Sequence, residues 1–515
     1  MLDIKNLKIT THGDRKLING LSFHLSKNDK IAIIGEEGNG KSTILKAIAC
    51  PEEVNKYAKI EGEINTFGNK IGYVEQILST DWSDETVQDF MLKKGPKDEP
   101  NYDMFSNFGA ILKQFDKLSL SDCVLEQKIS TLSGGEKIKI QFAKMLAENP
   151  DVILLDEPTN DLDMSSLNFM KNFIKESQKP VIFISHDEDL LRDAANGIIH
   201  VEQLKKKMEN KVTFEHMPYT EYVQKRKTNF EKQTQVALKE RADDRERMER
   251  WARIYNRVDH EQEVISRGDP GGARLLKKKM KSVKAQERRF EKQRENFTEI
   301  PDVEENVSVN FGMAQIPNGK TIIDLSLDKL TVANKVLAKN LSLKVTGPEK
   351  IAIIGDNGAG KSTYLARLFE ILQNKADIKT GFMPQDYDKF FKGYNTVLDF
   401  IFQNAKDKES RTKMQTFLGC LKFTKDEMNA KISDISGGQK AKLYLALLMT
   451  GENSVILLDE PTRNLSPLTS PVIRKAIISF GGAVIFVSHD KLLIEECATR
   501  IIKLTKNGFE KISNL

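Results

Sequence analysis

The glycine-rich pattern G-x-x-x-x-G-K-[ST] occurs twice in this chain, at residues 35–42 and again at residues 355–362. In such a loop, glycines let backbone N–H groups close around a phosphate group, the lysine adds a positive charge, and the hydroxyl can reach Mg²⁺. Each loop follows the same apolar run, IAII, which has the strand character that this motif needs before it. The pattern therefore predicts two nucleotide-binding domains in one chain.

Four further motifs follow each loop in the same order. They are a glutamine after a short apolar run, a Ser-Gly-Gly segment that opens a helix, an apolar strand that ends in Asp-Glu, and a strand that ends in Ser-His-Asp. The serine-to-glutamate spacing is equal in the two copies (133 to 157 and 436 to 460), and so is the glutamate-to-histidine spacing (157 to 186 and 460 to 489). Matched order and spacing indicate a duplicated domain.

The repeated set of motifs resembles the ATP-binding-cassette (ABC) ATPases over residues 1–216 and 301–515. The resemblance implies an α/β fold with two P-loop ATP-binding-cassette domains, ATPase activity, and ATP and Mg²⁺ as ligands. The motif glutamates would orient and deprotonate the attacking water, and the histidines would contact the γ-phosphate. The implied catalytic residues are Glu157, Glu460, His186 and His489.

The resemblance also assigns nucleotide and metal contacts. The implied nucleotide-binding residues are Gly35, Gly38, Gly40, Lys41, Ser42, Thr43, Gln76, Ser133, Gly134, Gly135 and Asp156 in the first domain, and Gly355, Gly358, Gly360, Lys361, Ser362, Thr363, Gln385, Ser436, Gly437, Gly438 and Asp459 in the second. Of these, the implied metal-binding residues are Ser42, Asp156, Gln76, Ser362, Asp459 and Gln385.

In this family, the Ser-Gly-Gly segment of one domain closes over the nucleotide held by the other. The resemblance therefore implies two composite sites and a monomer in which the two domains pair. Site one would join the first phosphate loop to residues 436–438, and site two would join the second loop to residues 133–135.

Two departures from the family pattern concern these sites. The loops that follow the acids differ between the copies (residues 160–163 and 463–467), so we expect the sites to be inequivalent. The aromatic residue that usually stacks on adenine is absent near the start of each domain, where His12 and Ala333 stand.

The interdomain segment, residues 217–300, differs in composition from the two cassettes. Residues 221–300 contain 22 Lys and Arg against 15 Asp and Glu, whereas the whole chain has a net charge of only +5. Helix-forming residues dominate, and the turn cluster GDPGG interrupts them at 268–272. We expect two antiparallel helices, at about 219–257 and 273–296, with a loop near 259–272. The candidate RNA-binding residues are Arg267, Arg274, Lys277, Lys278, Lys279, Lys281 and Lys284.

Two cassettes joined by a basic helical hairpin resemble the ABC-F class of translation ATPases. That class binds the ribosome at its exit-tRNA site and points the linker toward the peptidyl-tRNA and the peptidyl-transferase centre. The loop at 461–468 looks like that of the Vga/Lsa-type antibiotic-resistance group. The resemblance implies protection from lincosamides, pleuromutilins and streptogramin A, with large-subunit rRNA and peptidyl-tRNA as partners.

Several alternatives stay open at the level of sequence. The chain could be a housekeeping ABC-F factor, the ATPase of a transporter with a separate membrane subunit, or a DNA-repair ATPase, although the four cysteines lack zinc-site spacing. The linker could be a solvated spacer or a dimerising coiled coil. No apolar run is long enough to span a membrane, and the N-terminal residues have the pattern of a strand, so we expect a cytoplasmic protein. A transporter ATPase has no use for the basic hairpin, so we expect no membrane subunit.

Overall fold

The computed structural model describes residues 1–100, 108–118, 120–159, 162, 164–204, 209–264, 270–298, 316–332, 335–375, 377–421, 423–463 and 465–512. They form two compact units, one containing Met1–Tyr219 and Val303–Leu515 and the other containing Thr220–Asp302. The first unit holds both P-loop domains, called here the first and second cassettes. The second unit holds the long helices of the interdomain segment.

The first cassette is built on two sheets. Its strands are β1 (Leu2–Thr11), β2 (Lys16–Leu25), β3 (Lys30–Gly35), β4 (Ala58–Asn65), β5 (Ile71–Val74), β6 (Val152–Asp156), β7 (Val181–Ile184), β8 (Gly197–Leu204) and β9 (Glu209–Glu215). The larger sheet has the order β5-β6-β7-β3-β8-β9 and is parallel except for β9, and the smaller antiparallel sheet has the order β2-β1-β4.

The second cassette repeats the larger sheet. Its strands are β10 (Thr321–Val332), β11 (Lys335–Thr346), β12 (Lys350–Ile354), β13 (Thr380–Met383), β14 (Val455–Asp459), β15 (Ala483–Val487), β16 (Arg500–Thr505) and β17 (Gly508–Ile512). The order β13-β14-β15-β12-β16-β17 matches that of the first cassette strand for strand, and β10 and β11 form an antiparallel pair. The two P-loop domains and the helical region between them confirm the predicted fold class.

Helices flank these sheets. In the first cassette they are Lys41–Ala49, Pro51–Asn55, Val87–Leu92, Phe108–Lys117, Gly134–Ala147, Met164–Glu176 and Glu188–Ala194. In the second they are Lys361–Gln373, Asp388–Phe391, Val397–Asn404, Lys408–Cys420, Lys425–Asn429, Gly437–Thr450, Ser470–Ser479 and Lys491–Cys497. Gly134–Ala147 and Gly437–Thr450 are called here the first and second signature helices.

The central strands consist of consecutive apolar residues because helices and small sheets cover both faces of the larger sheets. Along β14, Val455 and Leu457 belong to one apolar cluster, while Ile456 and Leu458 belong to another. This alternation places a core on each face of the sheet. Since β6, β7 and β3 are neighbouring parallel strands, the Asp-Glu, Ser-His-Asp and phosphate-loop motifs meet at their carboxyl ends.

The second unit contains the helices Tyr219–Val264 and Pro270–Arg294. The indole Nε1 of Trp251 donates to the carbonyl of Val283 at 2.9 Å, and the Arg294 guanidinium donates to Asp244 at 2.7 Å. Contacts that pair residues early in one helix with residues late in the other require an antiparallel arrangement. None of the helices in the described ranges is long and apolar enough to cross a membrane.

Two of the helix boundaries expected in this unit were wrong. The first helix continues through residues 258–264, which were expected to form a loop but contain neither Gly nor Pro. The second begins at Pro270, inside the expected turn, because a proline at the first helical position loses no hydrogen bond. Val258 is buried, whereas Val264 is 68% exposed.

Candidate nucleotide sites

Both phosphate loops have a backbone that only glycine suits at key positions. Gly35 has φ 146°, and a Cβ atom there would lie 2.4 Å from the Val201 carbonyl oxygen. Gly40 caps the following helix in a left-handed conformation with φ 88°. Gly355 and Gly360 repeat these angles at 150° and 98°, so the two loops share one conformation.

The loop lysines lie across the loops that contain them. The Lys41 ammonium donates to the carbonyls of Gly35 and Glu36, both at 2.9 Å. Lys361 donates to Gly355 at 2.7 Å and to Asp356 at 3.0 Å. Burial lowers the pKa of both lysines, and neighbouring carboxylates only partly offset that effect. A phosphate group in either loop would favour the charged form of its lysine.

In the first cassette, three predicted residues meet at one carboxylate. The amide Nε2 of Gln76 donates to Glu157 Oε2 at 2.9 Å, and His186 Nε2 lies 3.1 Å from Glu157 Oε1. Glu157 has φ 49°, a left-handed conformation that is uncommon for a residue other than glycine. Such backbone strain is typical of functional sites, where it sets the direction of a side chain.

In the second cassette, the equivalent carboxylate has a related environment. Glu460 has φ 51°, its Oε2 accepts from the backbone N–H of His489 at 3.3 Å, and its Oε1 lies 3.7 Å from His489 Nε2. Burial, reinforced by the neighbouring carboxylate of Asp459, raises the pKa of Glu460 to about 8. Gln385 interacts with Asp459 through a backbone hydrogen bond.

The two aspartates could each hold a metal ion. Ser42 hydrogen-bonds Asp156 and Ser362 hydrogen-bonds Asp459, and burial raises the pKa of both aspartates, that of Asp156 to about 6. Oδ1 of each aspartate is buried without a hydrogen-bond partner. No cluster of three His, Cys, Asp or Glu residues suited to a metal occurs in the described ranges. One carboxylate, one hydroxyl and substrate phosphates form a donor set that fits Mg²⁺.

The signature helices begin with capping boxes. Ser133 Oγ accepts from the N–H of Glu136 at 3.3 Å, and Glu136 accepts from the N–H of Ser133 at 2.9 Å. Ser436 and Gln439 make the equivalent bonds at 3.3 and 2.8 Å. A capping box uses the amides of the first and fourth residues of its motif. The amides of the two intervening glycines are thereby left for another acceptor, as at an anion-binding helix N-terminus.

Site two forms a cavity of about 930 Å³ between the cassettes. Ser133, Gly134 and Gly135 line it from the first cassette. The predicted residues that line it from the second cassette are Gly358, Gly360, Lys361, Ser362, Thr363, Gln385, Asp459, Glu460 and His489. The structure thus brings the second phosphate loop and the first signature segment to one cavity.

At site one the two cassettes are in direct contact. A cavity of about 310 Å³ is lined by Glu36, Glu37 and Gly38 from the first cassette and by Ser436 and Gly438 from the second. The Glu37 carboxylate accepts a hydrogen bond from the backbone N–H of Gly438. Here the first phosphate loop and the second signature segment are joined directly.

Several residues at these sites were missed by sequence reasoning. Val332, Leu337 and Arg463 line the site-two cavity, and the apolar pair lies on β10 and β11, near the position where an aromatic residue was sought. Glu37 could have been found by comparing the two loops, since Asn357 stands at its position in the second.

Other predicted residues line neither cavity or fall outside the described residues. Arg274, Lys277, Lys278, Lys279, Lys281 and Lys284 are exposed on the helix Pro270–Arg294, where Lys279 pairs with Glu261 at 3.4 Å. His12 is exposed near the end of β1. Arg267, Ala333, and residues 160, 161, 163 and 464 of the two post-acid loops fall outside the described residues.

Comparison with protein families agrees with the duplicated architecture. The family model described as "ABC transporter" matches residues 18–160 and 338–463, one match in each cassette.

Curated relatives match along nearly the whole chain. ATP-binding protein Uup of Buchnera aphidicola is 28% identical over 99% of this chain and 81% of its own length. ABC transporter F family member 5 of Arabidopsis thaliana is 25% identical over 96% of this chain and 73% of its own length. Both matches cover nearly the whole of this chain, so they include the interdomain segment as well as the cassettes.

A solved structure shares the fold. It is an archaeal ribosome recycling factor, aABCE1, in complex with the ribosomal stalk protein aP1. It is 16% identical, with a TM-score of 0.58 over 95% of this chain and 87% of that one.

Proposed function

We propose a function for this chain on the basis of its family. It belongs to the ABC transporter family and is a tandem ATPase of the ABC-F type. In our proposal it is a cytoplasmic, monomeric protein that binds the ribosome when ATP closes its two cassettes. The interdomain helices then contact large-subunit rRNA and peptidyl-tRNA. The bound protein protects the peptidyl-transferase centre from lincosamides, pleuromutilins and streptogramin A.

The main support for ribosome binding is the exposed basic face of the second unit. Six of its seven candidate RNA-binding residues are described, and all six are exposed on one helix. Clustered Lys and Arg side chains on a helix bind nucleic-acid phosphates, with an affinity that falls as salt rises. The aABCE1 structure, a ribosome recycling factor in complex with a ribosomal stalk protein, provides an example of a ribosomal partner for a protein of the same fold.

In the proposed chemistry, each loop lysine holds the β- and γ-phosphates of ATP. Glu157 in site one and Glu460 in site two orient the attacking water and accept its proton. His186 and His489, which lie beside these carboxylates, donate to the γ-phosphate as charge moves onto it. The glycine amides of the opposing signature helix complete the phosphate pocket and couple hydrolysis to cassette closure.

Mg²⁺ would be held by Asp156 and Ser42 in site one and by Asp459 and Ser362 in site two, with Gln76 and Gln385 nearby. When bound, it would neutralise charge on the phosphate oxygens. The hydrogen bond from Gln76 to Glu157 supports a role for this glutamine in positioning the carboxylate relative to the metal and the water.

The resistance proposal is tested by expressing the chain in a susceptible host lacking relatives of this type. The inhibitory concentrations of a lincosamide and a pleuromutilin should rise with the wild-type chain and stay at baseline with Lys41→Ala/Lys361→Ala, produced at equal levels. If the wild-type chain leaves both values at baseline while it binds ribosomes, the resistance proposal is wrong. The housekeeping ABC-F factor then takes its place.

The transporter-motor alternative gives a different result. A motor would bind a separate membrane subunit and would sediment with membranes rather than with ribosomes. Fractionating host extracts on a sucrose gradient with ATP distinguishes these two functions in one experiment.

A further inference from the structure

The two phosphate loops differ in charge where each one faces a signature helix. In the first loop the residues after Gly35 are Glu36 and Glu37, and in the second the residues after Gly355 are Asp356 and Asn357. The first loop therefore has a carboxylate at position 37, where the second has the neutral carboxamide of Asn357. The two side chains are similar in polarity but differ by one full charge.

The Glu37 carboxylate contacts the N-terminus of the second signature helix. It accepts a hydrogen bond from the N–H of Gly438, one of the two glycine amides that the capping box of Ser436 and Gln439 does not use. Carboxylates are stabilised at helix N-termini by the same amides and dipole that stabilise phosphates. The carboxylate thus occupies a donor suited to an anionic ligand.

A second contact strengthens this bridge. Glu36 Oε1 lies 2.6 Å from the Lys442 ammonium, one turn further along the same helix, and the two side chains are only 18% and 10% exposed. Two adjacent acids of one cassette therefore bind one helix of the other. In site two, Asn357 lines the cavity together with Gly134 and Gly135, so the equivalent region there brings no carboxylate at this position.

We propose that Glu37 makes the two ATP sites unequal: its carboxylate competes with the γ-phosphate of ATP for the Gly438 amide, so site one binds ATP more weakly than site two. One N–H cannot serve both anions, and a displaced carboxylate still lies beside the triphosphate and repels it. This difference concerns ATP binding alone, so it is independent of ribosome binding and of drug resistance.

The test is equilibrium titration of the full-length chain with a fluorescent ATP analogue in Mg²⁺. The wild type should bind two equivalents, with dissociation constants that differ about 10- to 100-fold, the scale of one hydrogen bond to a charged group. Glu37→Gln keeps the size of the side chain and removes its charge. ATP binding at site one should then tighten, so the higher dissociation constant should approach the lower one. Glu52→Gln, which changes an exposed acid of the same cassette, should leave both constants unchanged.

The reciprocal variant tests the same claim in the other site. Asn357→Glu places a carboxylate in the second loop, so it should weaken ATP binding at site two and raise the lower of the two dissociation constants by a similar factor. This variant decides the matter if Glu37→Gln fails to give the wild-type circular dichroism spectrum. Two equal constants in the wild type would overturn the inference, as would an Asn357→Glu variant with both constants unchanged. Neither result would bear on ribosome co-sedimentation, which tests the proposed function separately.

Discussion

Arg474 of the second cassette forms a buried ion pair with Glu188 of the first, with 2.8 Å between the guanidinium Nη1 and the carboxylate Oε2. The two side chains are 4% and 6% exposed, and Arg474 also pairs with Glu496 at 2.7 Å. At the equivalent position of the first cassette, Lys171 pairs with Asp187 and Asp189 of its own cassette, each at 2.8 Å. The ion pair across the cassette boundary is therefore not repeated by the equivalent residue of the other copy.

Removing Arg474 should destabilise the paired cassettes. Arg474→Met leaves the Glu188 carboxylate buried with one partner fewer, and breaking a buried pair in this way costs about 3–5 kcal/mol. The urea midpoint followed by circular dichroism should fall clearly. Lys413→Met, which breaks the exposed pair of Lys413 with Glu409, is the matched control and should leave the midpoint unchanged. Equal midpoints for the two variants would show that the buried pair contributes nothing.

Hydrolysis at site two should depend on pH near neutrality. Burial and the Asp459 carboxylate raise the pKa of Glu460 to about 8, so the proton-accepting form grows as pH rises through that value. In a Glu157→Gln background, where site two alone turns over, kcat/KM for ATP should rise by up to about tenfold per unit between pH 6.5 and 8 and then level off. A profile that is flat over this range would exclude Glu460 as the group that accepts the proton.

Much of the fold was predictable because the central strands and loops have local signatures. Such signatures are the apolar run of β3, the glycines of the phosphate loop and the two acids at the end of β6. The contacts of Glu37 with Gly438 and of Arg474 with Glu188 join residues far apart in sequence, so no local pattern indicates them. The helix ends at Val264 and Pro270 were misjudged because a Gly- and Pro-rich cluster marks a turn without fixing its length.

The basic helix should control the salt dependence of ribosome binding. Changing Lys277, Lys278 and Lys281 to Gln removes three exposed charges, and each lost phosphate contact should flatten the log–log salt slope by roughly 0.7–0.9. ATPase activity without ribosomes should stay at the wild-type value. Lys413→Gln, an exposed lysine of the second cassette, should keep the wild-type slope. An unaltered slope in the triple variant would make the helix pair a spacer.

The exposed apolar residues at or near the adjoining ends of the two long helices should be needed for the drug effect rather than for ribosome binding. Val264 and Leu275 are 68% and 71% exposed, which suits insertion into a partner. Val264→Ser/Leu275→Ser should lower the inhibitory concentration of a lincosamide toward that of the host alone, with ATPase activity retained. Leu238→Ser, at an exposed position in the same unit, is the control and should keep resistance. If the control loses resistance equally, Val264 and Leu275 have no special role.

The double variant Glu157→Gln/Glu460→Gln should trap the closed state. Each substitution removes a proton-accepting carboxylate but keeps the side-chain size, so ATP turnover should fall by about 10²–10⁴ while ATP binding persists. The single variants separate the contributions of the two sites. Turnover within twofold of the wild type would exclude these glutamates as general bases.

Co-sedimentation of that double variant with ribosomes is the decisive measurement of ATP-dependent ribosome binding. Extracts of a host that expresses the chain are run on sucrose gradients with ATP, with wild type and with Lys41→Ala/Lys361→Ala as the control for nucleotide binding. We expect the glutamate variant to migrate with ribosomes in ATP, the wild type to do so less, and the lysine variant to stay at the top. A glutamate variant that binds ATP yet remains at the top of the gradient would contradict this expectation.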